Sequence, residues 1–140
     1  MSIRPHARLG LFALVVALAP MPACRAPQAQ QVQTAGMRID VLKARQKRGT
    51  VDVAVRIWND HDVPLSFDNG NVRLMFGDRE ASAQRARRPP LVQGRGNEEF
   101  RFIFECGSEL AGKQDYDIEI RDIQLDGVPA GDTAVFKVRL

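Results

Sequence analysis

The chain has 140 residues, of which 20 are Lys or Arg and 17 are Asp or Glu, and its net charge at neutral pH is +3. Arg4 and Arg8 belong to an N-terminal segment that we expect to be removed, so the processed chain carries 18 basic and 17 acidic residues, a balance of 18 − 17 = +1. Nucleic-acid binding needs a basic footprint over a whole domain, and so small an excess of positive charge argues against that class of partner.

Residues 1–23 have the organisation of a secretory leader. A basic stretch with Arg4 and Arg8 precedes the apolar run Leu9–Ala19, and secretory leaders have an apolar core of roughly 7–15 residues. A membrane-spanning helix needs about 20 apolar residues, which is more than this run provides. We therefore predict a signal peptide over residues 1–23 and an exported protein.

The end of this leader, Met21–Cys24, resembles the lipobox of bacterial lipoproteins, in which the cysteine thiol is diacylated and the leader is cut just before it. Ala23 and Cys24 match that pattern, whereas Met21 stands where Leu is usual. The resemblance implies a lipid on Cys24 and hence a membrane anchor, because two or more acyl chains hold a protein stably at a bilayer. An ordinary signal peptide with an unmodified Cys24 is the alternative.

The stretch after Cys24 is rich in Gln, Ala and Pro and has no apolar periodicity, which predicts a flexible tether over residues 24–36. Arg25 stands where known lipoproteins that stay in the inner membrane have Asp, so the outer membrane is favoured if the host has one. Residues 37–140 have the size of one compact domain.

Alternation of apolar and polar residues dominates the chain beyond Met37 and is typical of strands with one buried face. The predicted strands are Arg38–Ala44, Thr50–Trp58, Pro64–Phe67, Val72–Phe76, Glu80–Gln84, Phe100–Glu105, Tyr116–Arg121 and Ala134–Leu140. Turn residues separate them, as at Asp126–Gly127, and the one helical candidate is the short segment Ser108–Gly112. The pattern predicts an all-β, antiparallel β-sandwich of seven to eight strands, with a partly open barrel as the alternative.

Three segments carry a family resemblance: VDVAVRIWNDHDVPLSFDNGNVRLMFGD, EEFRFIFE and YDIEIRDIQLDGVP, in that order. They resemble the immunoglobulin-like domains of small bacterial exported lipoproteins. The residues that match the layout are Trp58, Asn59, Asp60, Ser66, Phe67, Val72, Leu74, Gly94, Phe100, Phe102 and Phe104. The resemblance implies an immunoglobulin-like fold and a location in the cell envelope, but no reaction.

Residues suited to catalysis or metal binding are scarce. The processed chain has one histidine, His61, within the sequence Asn59-Asp60-His61-Asp62, which is typical of a polar turn. One histidine and widely spaced cysteines do not supply a zinc or copper ligand set. We expect no catalytic residue, no metal site and no cofactor.

Cys106 continues the alternation of Phe100, Phe102 and Phe104, so its side chain is expected to point into the core as a buried free thiol. Two alternatives stay open: a Cys24–Cys106 disulfide in a secreted protein without lipid, and a disulfide between two chains.

Arg85, Arg87 and Arg88 precede Pro89 and Pro90 and form a local basic segment. Such arginines could bind anionic lipid head groups, a polysaccharide or an acidic protein patch, although a solvated loop explains them as well. The segment has no aromatic residue to stack on bases, which again argues against nucleic acid.

Trp58 is expected on the outer side of its strand, opposite the apolar face formed by Val51, Val53, Val55 and Ile57. It either caps the sandwich beneath the Asn59–Val63 turn or is exposed as an anchor for a partner.

These observations predict a non-catalytic lipoprotein, anchored in the cell-envelope membrane, that binds a protein or surface polymer or has a structural role. The alternative is a secreted or periplasmic sandwich that binds a small molecule or carbohydrate and has a Cys24–Cys106 disulfide. A deep pocket lined by aromatic residues would favour that alternative.

Overall fold

The structure, a computed structural model, describes residues 29–31 and 36–140, and the predicted signal peptide and Cys24 lie outside these residues. Its strands are β1 (Ala29–Gln31), β2 (Met37–Lys47), β3 (Thr50–Asn59), β4 (Leu65–Ser66), β5 (Val72–Phe76), β6 (Arg79–Ser82), β7 (Leu91–Val92), β8 (Asn97–Glu105), β9 (Asp115–Ile120), β10 (Gln124–Leu125), β11 (Val128–Pro129) and β12 (Ala134–Arg139). The described part of the chain contains no helix long and apolar enough to cross a membrane.

The strands form three antiparallel sheets. Sheet I has the order β1-β2-β3-β8, sheet II has the order β12-β9-β5-β6, and the small sheet III has the order β11-β10-β4-β7. Sheets I and II bury their inner faces against each other. Sheet III consists of the short strands β4 and β7 and the β10–β11 hairpin, and Leu65 and Val92 of this sheet belong to the same core. The prediction of an all-β antiparallel sandwich is confirmed, and the immunoglobulin-like assignment stays a prediction.

The core follows directly from the alternation read in the sequence. Val51, Val53, Val55 and Ile57 of β3 are completely buried, and the alternate residues of β3 point outward. The other large side chains that are fully buried come from both sheets and include Phe102, Phe104, Phe136, Ile39, Leu74, Ile118 and Ile120. Because β3 pairs with β2 on one side and β8 on the other, it is the central strand of sheet I.

A bulge in β2 reverses the faces of that strand. Val41 pairs with Val55 and Lys43 pairs with Ala54, so Leu42 is an extra residue on β2. If β2 paired with β3 without a bulge, Lys43 would share the inner face of Val41, because successive side chains of a strand alternate. The bulge keeps Lys43 and the residues after it in an alternation that places their charges outside.

Three sequence-based expectations differ from the structure. The described residues form twelve strands rather than seven to eight, because several two- to four-residue strands are too short to show alternation. Ala29–Gln31, inside the predicted tether, pairs with Arg38–Asp40 as β1, because backbone hydrogen bonds to a free strand edge need no apolar pattern. Ser108–Gly112 is not helical; the 3₁₀ turn is instead Asn69–Asn71, where the Asp68 side chain accepts a hydrogen bond from the Gly70 amide.

One buried amide holds the loops together where β3 ends. The side chain of Asn59 is 1% exposed, and its Nδ2 donates to the carbonyl oxygens of Val63 (2.9 Å), Val92 (3.2 Å) and Gln93 (3.2 Å). Its Oδ1 accepts a hydrogen bond of 3.0 Å from the His61 amide. A buried amide that is fully hydrogen-bonded fixes the relative position of all the segments it joins.

We expect Gly94→Ala to destabilise the protein by about 1–3 kcal/mol, because there is no room for a side chain at this junction. A Cβ at Gly94 would lie 2.2 Å from the backbone oxygen of Asp62, and backbone cannot rotate away as a side chain can. Urea denaturation of the two proteins measures the effect. Gly112→Ala is the control, since a Cβ there meets nothing within 4 Å; equal stability of all three proteins would contradict the prediction.

Candidate binding surface

The segment with the predicted partner-binding arginines is a loop that is fixed at both ends. At its start, the Gln84 amide donates to the Ile103 carbonyl (2.8 Å) and the Asn69 side chain donates to the Gln84 carbonyl (3.0 Å). At its end, the Pro90 carbonyl accepts a hydrogen bond of 3.3 Å from the Phe67 amide. We call the residues between these points, 85–89, the arginine loop. The body of the sandwich therefore holds the loop in place without covering it.

The three arginines of this loop are exposed and form no ion pair with any residue of the described chain. Seven other arginines of the described chain pair with carboxylates, whereas Arg48, Arg79 and Arg139 form no ion pair there; the paired ones are Arg38, Arg45, Arg56, Arg73, Arg95, Arg101 and Arg121. The positive charges of Arg85, Arg87 and Arg88 are thus not neutralised within the domain. Guanidinium groups in this state are available to carboxylates of another molecule.

A shallow groove of about 510 Å³ runs between the arginine loop and β8. Its apolar lining comes from Pro89, Pro90, Leu91 and Phe100, and Leu91 is 46% exposed. Glu98, Glu99 and Arg101 line its other side, where Glu99 binds Arg56. A second depression of about 270 Å³ lies between Arg85, Arg88 and the Asp68–Asn69 turn. The surface therefore combines the cations of the arginine loop with an apolar strip and, on the β8 side, with the carboxylates of Glu98 and Glu99.

The apolar floor of the groove is supported by aromatic packing. The Phe100 ring lies edge-on to Phe67, with 5.8 Å between ring centroids, and stacks on Phe102 at 6.3 Å. Phe102 is completely buried and Phe67 is 4% exposed, so Phe100 rests on the core. Such packing gives the groove a fixed shape before any partner binds.

Trp58, the other predicted contact residue, does not line this groove. It lies on the outer face of sheet I, as its position in β3 predicted, and is half-buried there. Its Nε1 donates to Asp40 Oδ2 at 2.8 Å, and the Arg38 guanidinium lies 4.4 Å from the centroid of its ring. The structure therefore places Trp58 and the arginine loop in two different environments rather than in one site.

The outer face of sheet I is organised by ion pairs across the strands. Arg101 donates two hydrogen bonds to Asp52, of 2.8 and 2.5 Å, and Arg45 approaches the same carboxylate at 3.2 Å. The hydrogen bonds from Arg101 are the main cause that lowers the pKa of Asp52 below its ordinary value of 3.8. The carboxylate is therefore held ionised between two cations.

Cys106 is buried, as its position in the alternation predicted, and is a free thiol. Burial raises the pKa of this thiol, which disfavours the reactive thiolate form.

His61 packs against the backbone of Gly36, where a Cβ would lie 2.6 Å from the His61 Nε2. No group of three or more His, Cys, Asp or Glu side chains that could hold a metal ion is found in the part of the chain that the structure describes.

Two residues that organise this surface were missed in the sequence. Asn59 and Asn69 have the composition of turn residues, but both are buried and both hold carbonyl oxygens of distant segments. Their partners lie 33 and 15 residues away along the chain. A local pattern cannot distinguish such an amide from an exposed turn residue, so composition marked neither as buried, although Asn59 is among the residues that carry the family resemblance.

We expect Asn69→Ala to loosen the arginine loop, because it removes the hydrogen bond to the Gln84 carbonyl, a bond worth about 1 kcal/mol. Trypsin should then cleave after Arg85 and Arg87 several times faster, at a protease concentration that leaves the parent protein intact. Asn71→Ala, in the same 3₁₀ turn, is the control and should cleave at the parent rate. Equal rates for Asn69→Ala and the parent would show that this bond does not hold the loop.

Asp52→Asn should lower the free energy of unfolding at pH 7 by about 1 kcal/mol, the scale of a well-formed surface ion pair. Because the pKa of Asp52 is lowered on folding, this contribution is complete above pH 3.8 and is lost as the pH falls through the folded-state pKa. Denaturation at several pH values should show the two proteins converging only in acid below that value. A difference that persists unchanged in acid would assign it to packing rather than to charge.

Comparison with known proteins gives a likeness of fold. No protein-family model matches the chain, and no curated protein matches it. Among solved structures, the fold is similar to that of a protein described as "a putative lipoprotein (ycdA) from Bacillus subtilis subsp. subtilis str. 168", with a TM-score of 0.57 and 12% sequence identity. The match covers 80% of this chain and 39% of the other, so this chain spans about two fifths of that protein's length.

Proposed function

We propose that this chain is an exported, lipid-anchored binding module of the bacterial cell envelope that catalyses no reaction. The lipobox-like Met21–Cys24 supports the anchor, and the neighbour of similar fold is itself described as "a putative lipoprotein". The lipid on Cys24 holds the domain at a membrane, facing the periplasm or the exterior. Arg25 after the lipidated cysteine favours the outer membrane where the host has one.

The observation that carries the binding role is the set of unpaired arginines beside an apolar groove. Arg88 lines the groove together with Leu91 and Phe100, Arg85 and Arg88 line the neighbouring depression, and Arg87 lies between them in the exposed loop. A polyanionic polymer would use the charges but not the apolar strip. A protein segment with carboxylates next to an apolar side chain uses both, so we assign the partner to that class.

The geometry gives less support to a secreted protein that binds a small molecule. The groove is shallow, and Phe100 is the only aromatic residue that lines it, whereas small-molecule sites bury about 70–90% of their ligand. The Cys24–Cys106 disulfide of that alternative would require a thiol that is 2% exposed to reach a partner outside the core. The binding module with a free Cys106 needs no such rearrangement.

The partner site is tested by photo-crosslinking in the native envelope. A benzophenone amino acid at Leu91, in the groove, should form a specific adduct with one envelope protein, and Arg85→Ala, Arg87→Ala and Arg88→Ala together should abolish that adduct. The control places the same group at Val135 on the outer face of sheet II, which has a similar exposure of 40%. An adduct that forms equally from Val135, or that survives loss of the three arginines, would contradict this partner site.

The anchor is tested separately by mass spectrometry of the N-terminus of the processed protein. We expect Cys24 as the first residue, carrying acyl chains, and we expect Cys24→Ser to abolish fractionation with membranes. An N-terminus at another residue, or an unmodified Cys24, would rule out the lipid anchor without bearing on the groove.

A further inference from the structure

A second basic surface, separate from the arginine loop, lies along β2. The bulge at Leu42 places Lys43, Arg45 and Lys47 on the outer face of sheet I, opposite Ala54, Asp52 and Thr50 of β3. Arg48 extends this row at the tip of the β2–β3 hairpin. We call Lys43, Arg45, Lys47 and Arg48 the basic ridge; all four are exposed.

The charge of the basic ridge is only partly neutralised. Arg45 pairs with Asp52, but that carboxylate is also bound by Arg101. Lys43, Lys47 and Arg48 have no ion pair with a residue of the described chain. Strand β8, which pairs with β3, carries Glu105, which accepts a hydrogen bond from Gln84, and at its other end Glu98 and Glu99; the exposed Glu109 follows the strand. The ridge therefore presents an excess of positive charge to solvent.

Strand β1 lies beside the part of β2 that precedes this ridge. Ala29 pairs with Asp40, and β1 runs antiparallel to β2, so the N-terminal end of β1 is its end nearer to the ridge. Four residues separate Cys24 from Ala29, and the five steps between these two positions span at most about 17 Å of fully extended chain. Five residues of β2 also lead from Asp40 to Arg45, a comparable distance.

We propose that the basic ridge docks on anionic phospholipid head groups of the membrane that holds the lipid of Cys24. This inference rests on the lipid anchor of the proposed function and adds to it a defined orientation of the domain. The short reach from Ala29 forces the bilayer surface to pass near β2, and the unpaired cations there complement its negative charge. A hydrophobic anchor combined with a polybasic patch is the arrangement that binds membranes stably.

The orientation leaves the arginine loop free for a partner. β1 and β2 form one edge of sheet I, whereas β8, which lines the groove beside the arginine loop, forms the opposite edge. The ridge and the arginine loop thus lie on opposite sides of β3, and Asp52, which binds both Arg45 of the ridge and Arg101 at the border of the groove, lies between them. In the proposed orientation the ridge faces the membrane.

Energy transfer from Trp58 tests the docked orientation, because Trp58 is the only tryptophan of the chain and lies on the outer face of sheet I. The lipidated full-length protein is reconstituted into vesicles of phosphatidylcholine, with or without phosphatidylglycerol, containing a trace of dansyl-labelled lipid. Transfer should increase when phosphatidylglycerol is present, and this increase should be lost in high salt. Flotation with the neutral vesicles measures the lipid anchor independently.

The ridge variant carries Lys43→Glu, Lys47→Glu and Arg48→Glu, and should lose the increase while still floating with neutral vesicles. The matched control carries Arg85→Glu, Arg87→Glu and Arg88→Glu, which change the net charge by the same amount. This control should keep the increase in energy transfer that phosphatidylglycerol causes. A second ridge variant with Gln at the three positions should also lose the increase and excludes an effect of misfolding through charge repulsion. A ridge variant that retains the full increase, or a control that loses it equally, would overturn the proposal; failure of the parent to float would instead refute the anchor.

Discussion

The alternation of β3 is the constraint on which the other features depend. Its inner side chains are completely buried, and it pairs along its whole length with β2 and β8. A shift of one residue in either pairing would bring charged side chains such as Asp52 and Arg56 into the core, at a cost of several kcal/mol for each ion. The apolar face of one strand therefore fixes the register of sheet I, and that register decides which residues meet on the outer face.

The register of sheet I also decides which charged side chains meet on its outer face. Arg101, Asp52 and Arg45 come from three different strands and meet only because β8, β3 and β2 are aligned by their buried residues. Alignment does not pair every cation: Lys43 and Lys47 of β2 have no ion pair with a described residue, whereas Arg95 in a loop pairs with Asp62. Ion pairs therefore follow from which side chains meet and not from the overall number of acidic and basic residues.

The bulge in β2 and the short strand β1 have a common consequence for the proposed role. The bulge directs the cations of the basic ridge outward, and β1 pairs with the part of β2 that precedes the ridge. Under the proposed lipid anchor, this pairing leaves only residues 25–28 between Cys24 and β1, which keeps the edge of sheet I that carries β1 near the bilayer.

The sequence by itself determined the all-β class, the long strands and the inward position of Cys106, because burial of every second residue leaves a period that local composition displays. It also indicated Trp58 as an outward residue and identified the turn at Asp126–Gly127. It predicted β2 only as far as Ala44, since the bulge breaks the alternation there. Only the tertiary structure decided which arginines are paired, that Asn59 and Asn69 are buried links between loops, and that β1 joins the sheet. These depend on contacts between residues far apart in the chain, and such contacts leave no periodic trace in the sequence around either partner.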